Sequence, residues 1–169
     1  MFKKRSFCFF KILKNRTGFT MIELSVTLGL IGILGAIAVP SYISYLPKHR
    51  LQTSARQIYD DLNLAKIRAV KDNKIACIAF DTVNENYTVY LDEDSVIGYT
   101  GGVDTLIKLN VTLENGVDIT GTPGLTANTC GFNNRGLMPT GYSSGQVNLT
   151  NPTGAESVIV NPAGGISIP

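Results

Sequence analysis

Thr17-Gly18-Phe19-Thr20-Met21-Ile22-Glu23-Leu24 is the stretch on which the fold of this chain turns. A short basic leader stops at a glycine, and a long apolar run begins at the next residue. One acid, Glu23, stands at the fifth position of that run. A charge in a membrane-length segment costs about 2.5–3.5 kcal/mol at the centre and less near an end, so an acid here calls for a partner. A cut after Gly18 would give Phe19 a free amine, with Glu23 about one helical turn away.

The apolar run extends from Phe19 to Val39. As a helix it spans about 31 Å, enough for the hydrocarbon core of a bilayer. Positive charge precedes it and little follows, which predicts a single pass with the leader cytoplasmic and everything beyond Pro40 outside the inner membrane. The whole chain carries 15 basic and 13 acidic side chains, a net charge of +2. Six of the bases (Lys3, Lys4, Arg5, Lys11, Lys14, Arg16) lie in the leader, which has no acid; without them 9 face 13, a net charge of −4. The basicity therefore belongs to the leader and does not mark a nucleic-acid surface.

A secretory signal peptide is the competing reading. Ala36-Ile37-Ala38 offers an A-x-A cleavage site, after which a soluble exported binding module would begin at Val39. The length of the run and the acid at its start count against it.

The junction resembles the type IV prepilin signature. In that family a dedicated peptidase cuts after the glycine, the new N-terminal phenylalanine is N-methylated, and the acid at mature position five is kept. Gly18, Phe19 and Glu23 match position by position. The resemblance implies cleavage between Gly18 and Phe19, methylation of Phe19, and a part for Glu23 in pairing or assembly. It also implies as partners other pilins or pseudopilins, the prepilin peptidase, an inner-membrane assembly platform and membrane lipid, with a periplasmic head that ends in a pilus or pseudopilus. Pairing between Glu23 and a neighbouring subunit's amine is expected to set the axial register of an incoming subunit.

Beyond the apolar run, Leu51, Ala55, Ile58, Leu62, Ala65 and Ala69 recur at steps of four and three, one face of an amphipathic helix. A helix is predicted from about Phe19 to Asp72, with its amphipathic part over about 48–72. Pro40 and Pro47 should kink it or mark a local break; a proline at mature position 22 is also a feature of the resembled family, and Pro40 matches it. After Asn73 the pattern turns to β, with strands predicted at 75–80, 87–91, 105–110, 117–120, 129–132, 146–149, 157–160 and 166–168. The expected fold is α+β, a long N-terminal helix packed on an antiparallel sheet, as in the type IV pilin fold. The expected segments are a leader (1–18), a membrane or filament-core helix (19–39) and one globular head (40–169).

Three later stretches resemble the GspH/FimT minor pseudopilins: Asp61–Lys71, which is similar to that family's "LxxARxxAIxR" stretch, Phe132-Asn133-Asn134-Arg135-Gly136, and the strand–Gly–strand run Ser157–Ile166. Some FimT-like proteins bind DNA through a basic GRxR-type C-terminal motif. The corresponding Gly164-Gly165-Ile166-Ser167-Ile168 has no arginine, and only Lys108 and Arg135 are basic beyond Lys74. DNA binding needs several phosphate-neutralising side chains, so a DNA-uptake role is the lesser alternative.

No catalytic constellation, phosphate loop or metal-ligand cysteine spacing is present, and no cofactor is expected. His49 reads as a solvated surface residue. Asp92-Glu93-Asp94, with Asp104 nearby, is a weak Ca²⁺ candidate against the ordinary reading of a solvated loop. Of the three cysteines, Cys8 leaves with the leader. A disulfide between Cys77 and Cys130 is the expectation in an oxidising compartment, with two buried thiols as the alternative.

Overall fold

The computed structural model describes residues 18–169; the leader up to Thr17, with Cys8, lies outside the described residues. Residues up to Ser41 belong to one unit, and Tyr42–Pro169 form a second. Helix α1 runs from Met21 to Asp72. It stops because Asn73 turns left-handed (φ 54°), which lets the Lys74 N–H reach back to the Ala69 carbonyl at 3.2 Å and close the last turn. The helix is continuous through both Pro40 and Pro47. Each proline removes one N–H from the ladder. Asn151 donates its side-chain N–H to the Pro47 carbonyl at 2.7 Å, tying that turn to the head.

All eight predicted strands form: β1 (Ile75–Asp81), β2 (Asn86–Asp92), β3 (Thr105–Thr112), β4 (Asp118–Gly121), β5 (Thr129–Phe132), β6 (Gly145–Asn151), β7 (Gly154–Val160) and β8 (Ile166–Ser167). They make two four-stranded sheets, ordered β3-β2-β1-β5 and β4-β6-β7-β8, where one sheet was expected. The β1–β2 turn is fastened by Asp81, whose carboxylate accepts the Val83 and Asn84 N–H groups at 2.9 and 3.0 Å and the Asn84 side-chain amide at 2.6 Å. These bonds, the Asn84 side chain's first, hold the Asp81 carboxyl below its ordinary range.

One core joins the second half of α1 to both sheets. The six periodic residues Leu51, Ala55, Ile58, Leu62, Ala65 and Ala69 are all buried. They meet Ala76, Ile78 and Phe80 of β1, Tyr87, Val89 and Leu91 of β2, and Val147, Leu149, Val158 and Val160 of the second sheet. A helix stripe and two alternating strand faces close on one another, which is why the two periods suffice to build this head.

Candidate functional site

At the junction, Gly18, Phe19 and Thr20 precede the helix. Thr20 is its N-cap: the Thr20 hydroxyl oxygen accepts the Glu23 N–H at 3.2 Å, and the Thr20 carbonyl accepts the Leu24 N–H at 3.1 Å. Glu23 lies exposed in the first turn, where an acid also suits the positive end of the helix. The T-x-x-E spacing of Thr20 and Glu23 is the sequence signal for this cap.

From Phe19 to Val39 every large apolar side chain is exposed. An 18-residue window of α1 has mean hydropathy 2.2 and none of it is buried. Beyond the capping Thr20, the run's two other hydroxyls donate to their own helix, Ser25 to the Met21 carbonyl at 2.9 Å and Thr27 to the Leu24 carbonyl at 2.8 Å. That satisfies them without water, as hydrocarbon requires. Glu23 thus remains the one ionisable group of the run.

On the head, the cysteines do not pair. Both are buried free thiols. Neighbouring strands oppose Cys77 to Gly131 and Ile78 to Cys130, so the two side chains leave opposite faces of the sheet. Cys130 lies in the core against α1. Cys77 lies on the outer face, 3.2 Å from the Tyr142 hydroxyl. The expected disulfide is therefore corrected. Burial pushes each thiol up to about 12, so neither is a nucleophile at neutral pH.

The acidic cluster is also rearranged. Carboxylate oxygens of Asp92, Asp94 and Asp104 lie within 4.8 Å of one another. Glu93 is not among them: it takes the Lys74 ammonium at 2.6 and 2.7 Å and the Thr105 hydroxyl at 3.0 Å. The three aspartates spend their oxygens on the loop itself. Asp92 accepts the Ser95 N–H at 2.7 Å and the Tyr142 hydroxyl at 3.3 Å. Asp104 accepts the Glu93 and Thr100 N–H groups at 3.0 and 2.7 Å, and Asp94 accepts that of Val96 at 2.9 Å. Burial, reinforced by the Asp104 and Asp94 charges, holds the Asp92 carboxyl above its usual range; the Ser95 and Tyr142 bonds oppose this. This arrangement fastens a loop and offers no acid–base pair for catalysis. His49 is exposed and stacks on Tyr45 at 5.8 Å between ring centroids.

The three stretches singled out late in the sequence meet at one point. Lys66 of α1 donates to the Gly164 carbonyl at 2.9 Å. A Cβ placed on Gly136 would lie 2.7 Å from the Lys66 side chain, and one on Gly164 would collide with the Gly136 carbonyl oxygen. Both glycines have positive φ, +72° and +73°.

A family model described as "Type II transport protein GspH" matches residues 54–164, the span that holds all three stretches. The chain belongs to the GspH family. A second model, "Prokaryotic N-terminal methylation motif", matches residues 13–39. Two curated fimbrial proteins of Pseudomonas aeruginosa are 27% identical over 89 residues, 53% of this chain and 57% of theirs. The chain thus spans little more than half the length of these relatives. Among solved structures, the type IV minor pilin FimU of P. aeruginosa shares the fold at TM-score 0.51 and 14% identity, over 74% of this chain and 92% of that one. The minor pseudopilin EpsH of the Vibrio cholerae Type 2 Secretion System does so at TM-score 0.54 and 14% identity, over 71% and 96%. The architecture is the type IV pilin fold. The methylation motif and the apolar helix mark a membrane-anchored pilin.

Proposed function

We propose that the chain is cut after Gly18 and methylated on Phe19, is held in the inner membrane by residues 19–39 with its head in the periplasm, and then joins a pilus or pseudopilus as a minor subunit. The observation that carries this is the capped, wholly exposed apolar helix with a single acid in its first turn. A helix hydrophobic all round is stable only in lipid or against other helices. The prepilin peptidase and the membrane assembly platform are the partners this route requires.

Intact-mass analysis of the membrane protein tests the reading. A 151-residue chain, 169 less the first 18, beginning at methylated Phe19 is expected. A chain beginning at Val39 would replace it with the soluble module. DNA uptake has little support: Lys108, one of the two bases beyond Lys74, is held by Asp61.

A further inference from the structure

We propose that Thr20 is a positioning residue for the cut: it stops α1 just past the Gly18–Phe19 peptide and so keeps that bond in open backbone. The inference deepens the processing reading and rests on it. It starts from the two bonds of Thr20, its hydroxyl oxygen to the Glu23 N–H (3.2 Å) and its carbonyl to the Leu24 N–H (3.1 Å). An N-cap residue has non-helical backbone angles while its carbonyl already accepts the first helical bond. Met21, Ile22 and Glu23 then hold the first three helical positions, and Gly18 and Phe19 stay outside.

Little else in the local sequence stops the helix there. Phe19, Met21, Ile22 and Leu24 all tolerate it, and upstream the nearest breaker is Gly18 itself. A helix one turn longer would bond the Gly18 carbonyl to the Ile22 N–H and wrap the scissile peptide in side chains. Hydrolysis adds the hydroxyl of water to the Gly18 carbonyl carbon, breaks the C–N bond and delivers a proton to the Phe19 nitrogen. Both atoms must be open to the peptidase. Space around Gly18 is open among the described residues, with nothing within 4 Å of a built Cβ. The demand for glycine at 18 therefore comes from the enzyme, while the demand for a cap at 20 comes from the substrate.

The test uses the full-length chain in membranes with its peptidase. Uncut and cut forms are followed in time, and the cut site is read by mass. Thr20→Val keeps the shape and loses the acceptor; Thr20→Ser and Thr20→Asn keep an acceptor. Thr20→Val should slow cleavage about fivefold, the equilibrium factor of a cap of about 1 kcal/mol. Serine and asparagine should stay within about twofold of wild type. Amide exchange at Ile22 of the uncut chain in detergent should slow in Thr20→Val alone, because the lengthened helix bonds that N–H to the Gly18 carbonyl. Cleavage of Thr20→Val at the wild-type rate overturns the proposal. So does equal slowing by serine and asparagine, which means the peptidase reads the threonine itself, or slowed cleavage without slower exchange at Ile22. A wild-type chain not cut after Gly18 overturns the processing reading, and this proposal with it.

Discussion

Lys108 on the edge strand β3 donates to the carboxylate of Asp61, which is buried on the face of α1 that covers the first sheet. Tyr87 of the adjacent β2 donates to the other oxygen of Asp61 at 2.8 Å, and Gln57 donates to the Tyr87 hydroxyl oxygen at 3.2 Å. Four side chains thus pin helix, inner strand and edge strand together. An inward-pointing charge also keeps an exposed edge such as β3 from pairing with other chains.

The partners of this pair differ in exposure, and that sets an asymmetry. Asp61 is 6% exposed at its side chain and Lys108 is 42%. Lys108→Met strands a buried carboxylate and should lower the stability of a 42–169 fragment by about 2–3 kcal/mol. Asp61→Asn keeps an acceptor for Tyr87 and lets the lysine turn to water, so about 1 kcal/mol is expected. Urea unfolding measures both. A larger loss for Asp61→Asn than for Lys108→Met would contradict this account.

Thiol labelling of unreduced mature protein should give two thiols per chain after denaturation and almost none before it. Cys77 and Cys130 lie on opposite faces of the sheet, and burial holds both largely protonated at neutral pH. Labelling of the native protein should therefore track its opening and not the thiol pKa. A denatured count of zero would restore the disulfide.

Gly164→Ala should destabilise the fragment by more than about 2 kcal/mol, because its φ is left-handed and the new methyl meets the Gly136 carbonyl. Gly154→Ala is the control. It has open space and no positive φ, so its midpoint should move by less than about 0.5 kcal/mol. Similar losses at both sites would mean that the Lys66–Gly136–Gly164 junction adds nothing.

Asp92 gives the fold a pH dependence of known sign. Its folded pKa is raised, so its contribution is fully favourable below the ordinary carboxylate pKa and is lost as pH rises through the folded value. Asp92→Asn retains an acceptor for the Ser95 N–H and removes the charge. Its gain in urea midpoint over wild type should be largest near pH 7 and shrink as pH falls below the ordinary carboxylate range. A gain that grows on acidification would reverse the sign and exclude burial as its cause.

Glu23→Ala should be cut and inserted normally yet join filaments poorly. Two opposite charges attract strongly in a low-dielectric helix bundle, and one left unpaired there is costly. The ratio of membrane-pool to sheared-filament protein reads this for wild type and variant. Equal ratios would remove Glu23 from the assembly mechanism.

Whatever depended on backbone period or on neighbours in the chain was legible in the sequence. The 3.6-residue spacing of Leu51 to Ala69 fixed the buried stripe, the β-rich runs between turn residues fixed eight strands, and the Gly18–Glu23 junction fixed the type of helix start. Asp61 could have been placed too, since it stands three residues after Ile58 and four before Ala65, on the same stripe. Other features needed the tertiary structure. The division into two sheets, the opposite faces of Cys77 and Cys130, the replacement of Glu93 by Asp104 in the acidic cluster and the meeting of Lys66, Gly136 and Gly164 all depend on pairings between distant residues. A strand's period says that side chains alternate, but not which residue of another strand lies opposite. A shift of one residue in that register reverses every face, and only the packing of the whole core chooses it.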